Sequence, residues 1–308
     1  MNLAPCLTER ITEAYETCQR SLETELPARI VRHLGEKGQP SSAFRLISQI
    51  TADPNSLRQI NKLRESISSD LGQNEVERTL LLLASLHALP QVADLPVSDR
   101  VKELLTDDFQ FFANPPAAWI PRFRAGDVRF LGMARSATFQ RFTAGQYHWQ
   151  LSGFPRAWLS KVRKPWKVLA HLLGEMGGFS PFFELHLNDR RKNRAILSEK
   201  EANLSYYRVA RSLEKQPNIL GVMVGGWWYC DATAQVSPHL AWLPRTPRSG
   251  GALLADLGPA PADSGFLVGS DERRKLYEQK LYQPRLTCVL WPRKGLLEWA
   301  NRHPEFDQ

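Results

Sequence analysis

Asn114-Pro115-Pro116 divides this chain of 308 residues into two stretches that cannot be built alike. Two successive prolines remove two backbone donors and push the residue before them out of the helical region, so no regular helix crosses this point. Ahead of the break, apolar residues recur at helical spacing. An amphipathic stretch over 7–34 is interrupted at Pro27, and Ser41-Ser42 starts a helix over 43–51. Asp53-Pro54 reads as an N-cap and first-turn proline before a face of Leu57, Ile60, Leu63 and Ile67. Asn74 with Glu77 forms a capping-box-like start for a helix over 80–89, and Ser98 opens one carrying Val101, Leu104, Leu105 and Phe109. These five short helices predict an all-α N-terminal domain, 1–113, in which His33 and His87 are structural.

Beyond the break the composition changes, with all nine tryptophans lying after residue 118. The stretch 129–154 reads as alternating strand-like segments around a turn at Gly145. Its second arm sets Gln146, His148 and Gln150 opposite Tyr147, Trp149 and Leu151. A helix over 165–176 is expected to bury Trp166, Leu169, Leu172 and Leu173 and to stop at Gly177-Gly178. A strand over 182–188, a helix over 198–215 and an apolar run over 219–230 follow. After them come a short helix over 238–243, a strand over 252–257 and a helix over 273–281. A strand over 286–291 and a helix over 295–303 close the chain. Strands alternating with helices predict a mixed α/β sheet flanked by helices across a second domain, 114–308.

Charge follows the same division. Residues 1–114 carry 12 Lys/Arg against 16 Asp/Glu, a net of −4, and residues 115–308 carry 28 against 16, a net of +12. A basic field of this kind suits phosphate, nucleic acid or an anionic membrane surface. No apolar run reaches the roughly 18 residues that span a bilayer. The first residues show no basic start or apolar core of a secretory signal, and Cys6, Cys18, Cys230 and Cys288 follow no disulfide or metal spacing. A cytoplasmic location is expected.

The chemistry concentrates in Phe182-Phe183-Glu184-Leu185-His186-Leu187-Asn188-Asp189 and the basic run after it. In a strand, Leu185 and Leu187 share one face while Glu184, His186 and Asn188 share the other. Those polar types accept protons and orient a polar substrate; a simply wetted strand face is the plain alternative. Arg190, Arg191, Lys192 and Arg194 precede a helix that Ser198 caps, a place where phosphates are welcome. Farther on, Gly225-Gly226 inside an apolar run marks a bulge or a close backbone approach. Trp227, Trp228 and Tyr229 beside it suit a pocket wall or a core strand. Cys230 with His186 or His239 is a conceivable thiol and base, oriented by Asp231 or Glu184. No short spacing makes these groups metal ligands, so no metal is expected.

From strand to helix, with Asp189-Arg190-Arg191-Lys192-Asn193-Arg194-Ala195-Ile196 between, the chain resembles the cofactor-binding motif of GNAT-type acyltransferases. The later strand-helix-strand order extends this likeness over 182–257. The resemblance implies a GNAT-like sheet and an acyl-CoA donor whose phosphates sit on Arg190, Arg191, Lys192 and Arg194. It also implies transfer of the acyl group to an amine or hydroxyl of a small-molecule acceptor. Glu184 or His186 would take the acceptor's proton and Tyr229 would protonate the leaving thiolate. Asn188, Gly225, Gly226, Trp227, Trp228, Cys230 and His239 would line the pocket. A different reading keeps the charge split in front: a non-enzymatic protein whose basic face binds nucleic acid or an anionic membrane while the acidic helical domain docks a protein partner.

Overall fold

Apolar side chains at helical spacing build the first of two units, Met1–Thr143; the second is Ala144–Gln308. The protein is seen as a computed structural model that describes residues 3–24, 30, 32, 34–52, 58–59, 62, 73–119, 128–188, 198–261, 264–267 and 270–307. In the first unit these form α1 (Leu3–Thr24), α2 (Pro40–Ala52), α3 (Gln73–Ala88), α4 (Asp99–Ala113) and α5 (Val128–Ala137), then the short strand β1 (Arg141–Thr143). The helix expected after Asp53-Pro54 lies largely outside the described residues.

The core of this unit gathers Ala14 and Cys18 of α1, Ala43 and Ile47 of α2, Leu80 to Ala84 of α3, and Phe109 and Phe112 of α4. Arg78 closes the end of α4: its Nε donates to Phe112 O at 3.2 Å, and its Nη2 bonds Ala113 O and Ser21 Oγ. A guanidinium there satisfies carbonyls that a helix end leaves without partners. Burial pushes the Cys18 thiol up to about 12, so it behaves as a small apolar side chain.

Two expectations need correction here. Residues 128–137 are helical rather than strand-like, because Phe130, Met133, Ala134 and Ala137 follow the i, i+3, i+4, i+7 spacing and are buried in the core just described. That helix carries the first unit past the double proline, so the division falls at 143/144, some 30 residues later than 113/114.

The second unit holds β2 (Tyr147–Ser152), α6 (Pro165–Gly174), β3 (Phe182–Leu187), α7 (Glu199–Glu214), β4 (Gly221–Gly226) and α8 (Asp231–Val236). After these come α9 (Trp242–Ser249), β5 (Leu253–Pro259), α10 (Asp271–Glu278), β6 (Arg285–Pro292) and α11 (Arg293–Asn301). The architecture is mixed α/β, and the strands of this unit lie in one open sheet in the order β2-β3-β4-β6-β5. Within it β3 and β4 are parallel, joined through α7, while β2/β3, β4/β6 and β5/β6 are antiparallel.

Register sorts the side chains into two layers. One face carries Trp149, Leu185, Val224 and Val289 across four strands, and Tyr147 and Trp291 beside them. The Tyr206 ring of α7 stacks on Tyr147 at 5.3 Å and meets Trp291 edge-on at 5.3 Å, with Trp299 of α11 on Trp291 at 5.6 Å. The opposite face carries Phe182, Met223, Leu290, Cys288 and Ala255, covered by Val168 and Leu172 of α6 and by Met176.

The α6 helix stops where expected. Gly177 has φ 81°, which glycine adopts freely, and Gly178 N donates to Leu172 O at 2.8 Å. Its orientation differs from expectation. Leu172 is buried as anticipated, but its buried partner is Val168, while Trp166 is 67% exposed, Leu173 57% and Leu169 38%. A helix with apolar residues on every side cannot reveal from its pattern which side meets the sheet.

Candidate functional site

Pairing between β2 and β3 assembles a polar patch from two strands. His148 stands opposite His186 and Gln150 opposite Glu184, on the sheet face that also carries Phe182. Gln150 Nε2 donates to Glu184 Oε2 at 3.4 Å, and His186 Nε2 lies 3.8 Å from the same oxygen. The Glu184 and His186 side chains are 25% and 38% exposed, so both meet solvent while remaining partly enclosed. His148 is buried. On the same face Glu184 pairs with Met223, and Cys288 pairs with Gly225. Burial, and after it the Glu184 charge, push the Cys288 thiol upward, so at neutral pH this sulfur stays protonated.

The patch sits where the parallel pair runs out. The β3/β4 register spans Phe183↔Val222 to Leu185↔Val224, yet β3 continues to Leu187 and β4 to Gly226. Strand ends of this kind, next to the N-terminus of the connecting helix, form the crevice where open α/β sheets receive ligands. The start of α7 is held at that end. Ser198 Oγ accepts from Glu201 N, Gln146 Oε1 accepts from Ser198 N at 3.3 Å, and Gln146 N donates to Ser205 Oγ at 2.9 Å. Asn188 belongs to this framework, its Nδ2 donating to Gly145 O at 3.0 Å and its N–H to Gln146 O at 2.8 Å. Arg190, Arg191, Lys192 and Arg194 lie outside the described residues.

The other expected site residues separate. Tyr229 does not join Glu184 and His186: its hydroxyl lies 3.3 Å from that of Tyr147 and 3.1 Å from that of Tyr206, on the opposite side of the sheet. Burial pushes all three phenols up, so they form a closed triangle of protonated hydroxyls. This alters the acid role expected of Tyr229. The reason is that the chain turns after Gly226, through the 3-10 turn Trp227–Tyr229, which strand alternation cannot foresee. Cys230 Sγ lies 3.2 Å from Thr233 Oγ1, which also bonds Trp227 O at 2.8 Å and Tyr282 OH at 2.9 Å. Trp227 is buried beneath the Arg273 guanidinium at 5.1 Å, Trp228 is half-buried, and His239 is exposed in the 3-10 turn Pro238–Leu240.

Gly225 and Gly226 have opposite uses. No bulge occurs at them, since the β4/β6 register is unbroken from Gly221↔Pro292 to Gly226↔Thr287; the irregularity falls in β5, between Asp256 and Pro259. Gly226 leaves room for its own chain, because a Cβ there would run into the Trp228 indole. Gly225 is exposed, with nothing within 4 Å of where a Cβ would stand, on the face of Glu184. We therefore expect Gly226→Ala to lose about 1–3 kcal/mol through overpacking, and Gly225→Ala to melt like the natural chain. Thermal unfolding of the two variants checks this.

Strand alternation alone reaches Glu184 and His186, and it already groups His148 with Gln150. What it lacks is the pairing that brings these two couples together and adds Cys288. Among the described residues, no three His, Cys, Asp or Glu side chains are grouped as metal ligands would be. No protein-family model matches the chain, and no curated protein and no solved structure matches it.

Proposed function

We propose that the second unit is an acyltransferase of GNAT-like architecture, moving an acyl group from an acyl-CoA-like donor to an amine or hydroxyl. The observation that carries this reading is the parallel β3/β4 pair. It is joined by a capped helix, its pairing ends at Leu185↔Val224, and β6 lies between β4 and β5. Strand ends beyond that pairing leave backbone edges with which an extended, amide-bearing donor can pair, and the exposed Gly225 allows a close approach. The acceptor's nucleophile attacks the thioester carbonyl while Glu184, with His186 3.8 Å away, takes its proton directly or through a water; the C–S bond then breaks, and coenzyme A leaves as a thiolate that is protonated from solvent. Arg190, Arg191, Lys192 and Arg194 are the proposed phosphate ligands. The cytoplasm remains the proposed compartment, with which the free thiols of Cys18, Cys230 and Cys288 are compatible.

Calorimetry of the full chain with coenzyme A and with acetyl-CoA at low salt tests the proposal. We expect saturable heat with either ligand, weakened by at least tenfold in Arg190→Ala/Arg191→Ala/Arg194→Ala and also weakened in Gly225→Ala. A folded protein that gives no heat at millimolar ligand overturns the proposal.

A further inference from the structure

The α6 helix shows an apolar stripe on the side that the sheet does not use. Val168 and Leu172 point into the core, with His171 Nε2 hydrogen-bonding Leu290 O at 3.1 Å. Trp166, Leu169 and Leu173, at i, i+3 and i+7, fall together on the outer side, 67%, 38% and 57% exposed. Contiguous large apolar side chains left in water mark a binding surface, whereas scattered ones do not. Basic residues adjoin this stripe: Lys161, Arg163, Lys164 and Lys167 are all exposed, and the sequence from 156 to 174 contains no acidic residue. Cations gathered at a helix N-terminus oppose the helix dipole, and the first turn of α6 has no acidic side chain to offset them. An anionic partner relieves that arrangement.

We propose that α6 docks the second unit onto an anionic lipid bilayer, with Trp166, Leu169 and Leu173 entering the headgroup–acyl boundary and the four cations meeting lipid phosphates and carboxylates. The chemistry favours a membrane over a protein. A ten-residue helix is about 15 Å long, and one such stripe falls well short of the roughly 800 Å² per partner of a stable protein interface. It is sufficient for an interfacial helix, whose binding adds shallow apolar burial to charge attraction. A tryptophan beside lysines suits the headgroup level. No helix among the described residues is long and apolar enough to cross a membrane, so the contact is peripheral. This inference stands apart from the acyl-transfer reading and concerns a different surface.

Flotation of the full chain with phosphatidylcholine vesicles, with and without about 30% phosphatidylserine as the anionic lipid, tests it. We expect binding only to the phosphatidylserine vesicles, reversed by molar salt. Trp166→Ser/Leu173→Ser should abolish it, and Lys164→Gln/Lys167→Gln should reduce partitioning roughly 30-fold, about fivefold for each cation. All four positions are exposed, and melts of both variants matching the natural chain establish that the fold is kept. The proposal is overturned if the natural chain stays unbound, or if the variants float as well as it does. It is likewise overturned if the natural chain binds neither vesicle and sediments as a dimer that Trp166→Ser/Leu173→Ser converts to a monomer, since a second copy then covers the stripe.

Discussion

Leu185→Asp is expected to leave the second unit unfolded at room temperature, while His186→Gln, one residue along, melts within about 1 kcal/mol of the natural chain. Leu185 is 2% exposed and is aligned with Trp149, Val224 and Val289 beneath α7 and α11. An aspartate there forfeits roughly 2–3 kcal/mol of apolar burial and adds a desolvation penalty of several kcal/mol for a charge without a partner. Together these approach the roughly 5–15 kcal/mol by which a domain of this kind is stable. His186 stands on the other face with a 38% exposed side chain, and glutamine supplies a polar amide beside Glu184, whose Oε2 lies 3.8 Å from the histidine Nε2. Leu187 is only half-buried, so Leu187→Asp should be the milder of the two aspartate variants. Circular-dichroism melts separate these cases. Should His186→Gln unfold as readily as Leu185→Asp, the histidine belongs to the core and the assigned site is wrong.

Glu184→Gln should lower kcat/KM for acyl transfer about 10²- to 10⁴-fold, the usual contribution of a positioned proton acceptor, with no change in the melt. The amide preserves the size of the side chain and can still bond Gln150, whose Nε2 lies 3.4 Å from the carboxylate. If Glu184 and His186 act as one unit, the Glu184→Gln/His186→Gln enzyme should be little slower than the worse single variant. Tyr229→Phe serves as the contrast. Its hydroxyl lies between Tyr147 and Tyr206 on the far side of the sheet, so removing it should leave the rate unchanged and reduce stability by about 1 kcal/mol. Steady-state rates with the donor identified by calorimetry decide the matter. Full activity in Glu184→Gln would refute the proton-acceptor role while leaving donor binding intact.

The candidate site was legible in the sequence to the extent that its residues share one strand. Glu184 and His186 were recognisable because a period of two puts them on a common face whatever the sheet around them. Tyr229 lies apart from them because it follows the strand through a 3-10 turn, where alternation no longer applies. The expectation for α6 missed its orientation for a related reason: Trp166, Leu169 and Leu173 satisfy helical spacing as well as Val168 and Leu172 do, so periodicity alone does not choose between the two sides.

Local sequence sets where α7 starts, at Ser198 with Glu199 and Glu201 in its first turn, and where α6 stops, at Gly177-Gly178. It also sets the alternation of strands and helices from β2 onward. These are local matters, set by caps, glycine φ angles and side-chain periodicity over a few residues. Packing across the fold settles that His148 faces His186, that Cys288 joins Gly225 beside Glu184, that α5 belongs with the helices before it, and which side of α6 stays in water. Each of these depends on strand register or on burial between segments tens of residues apart. That choice is made by the packing of whole surfaces, and no short window of sequence contains it.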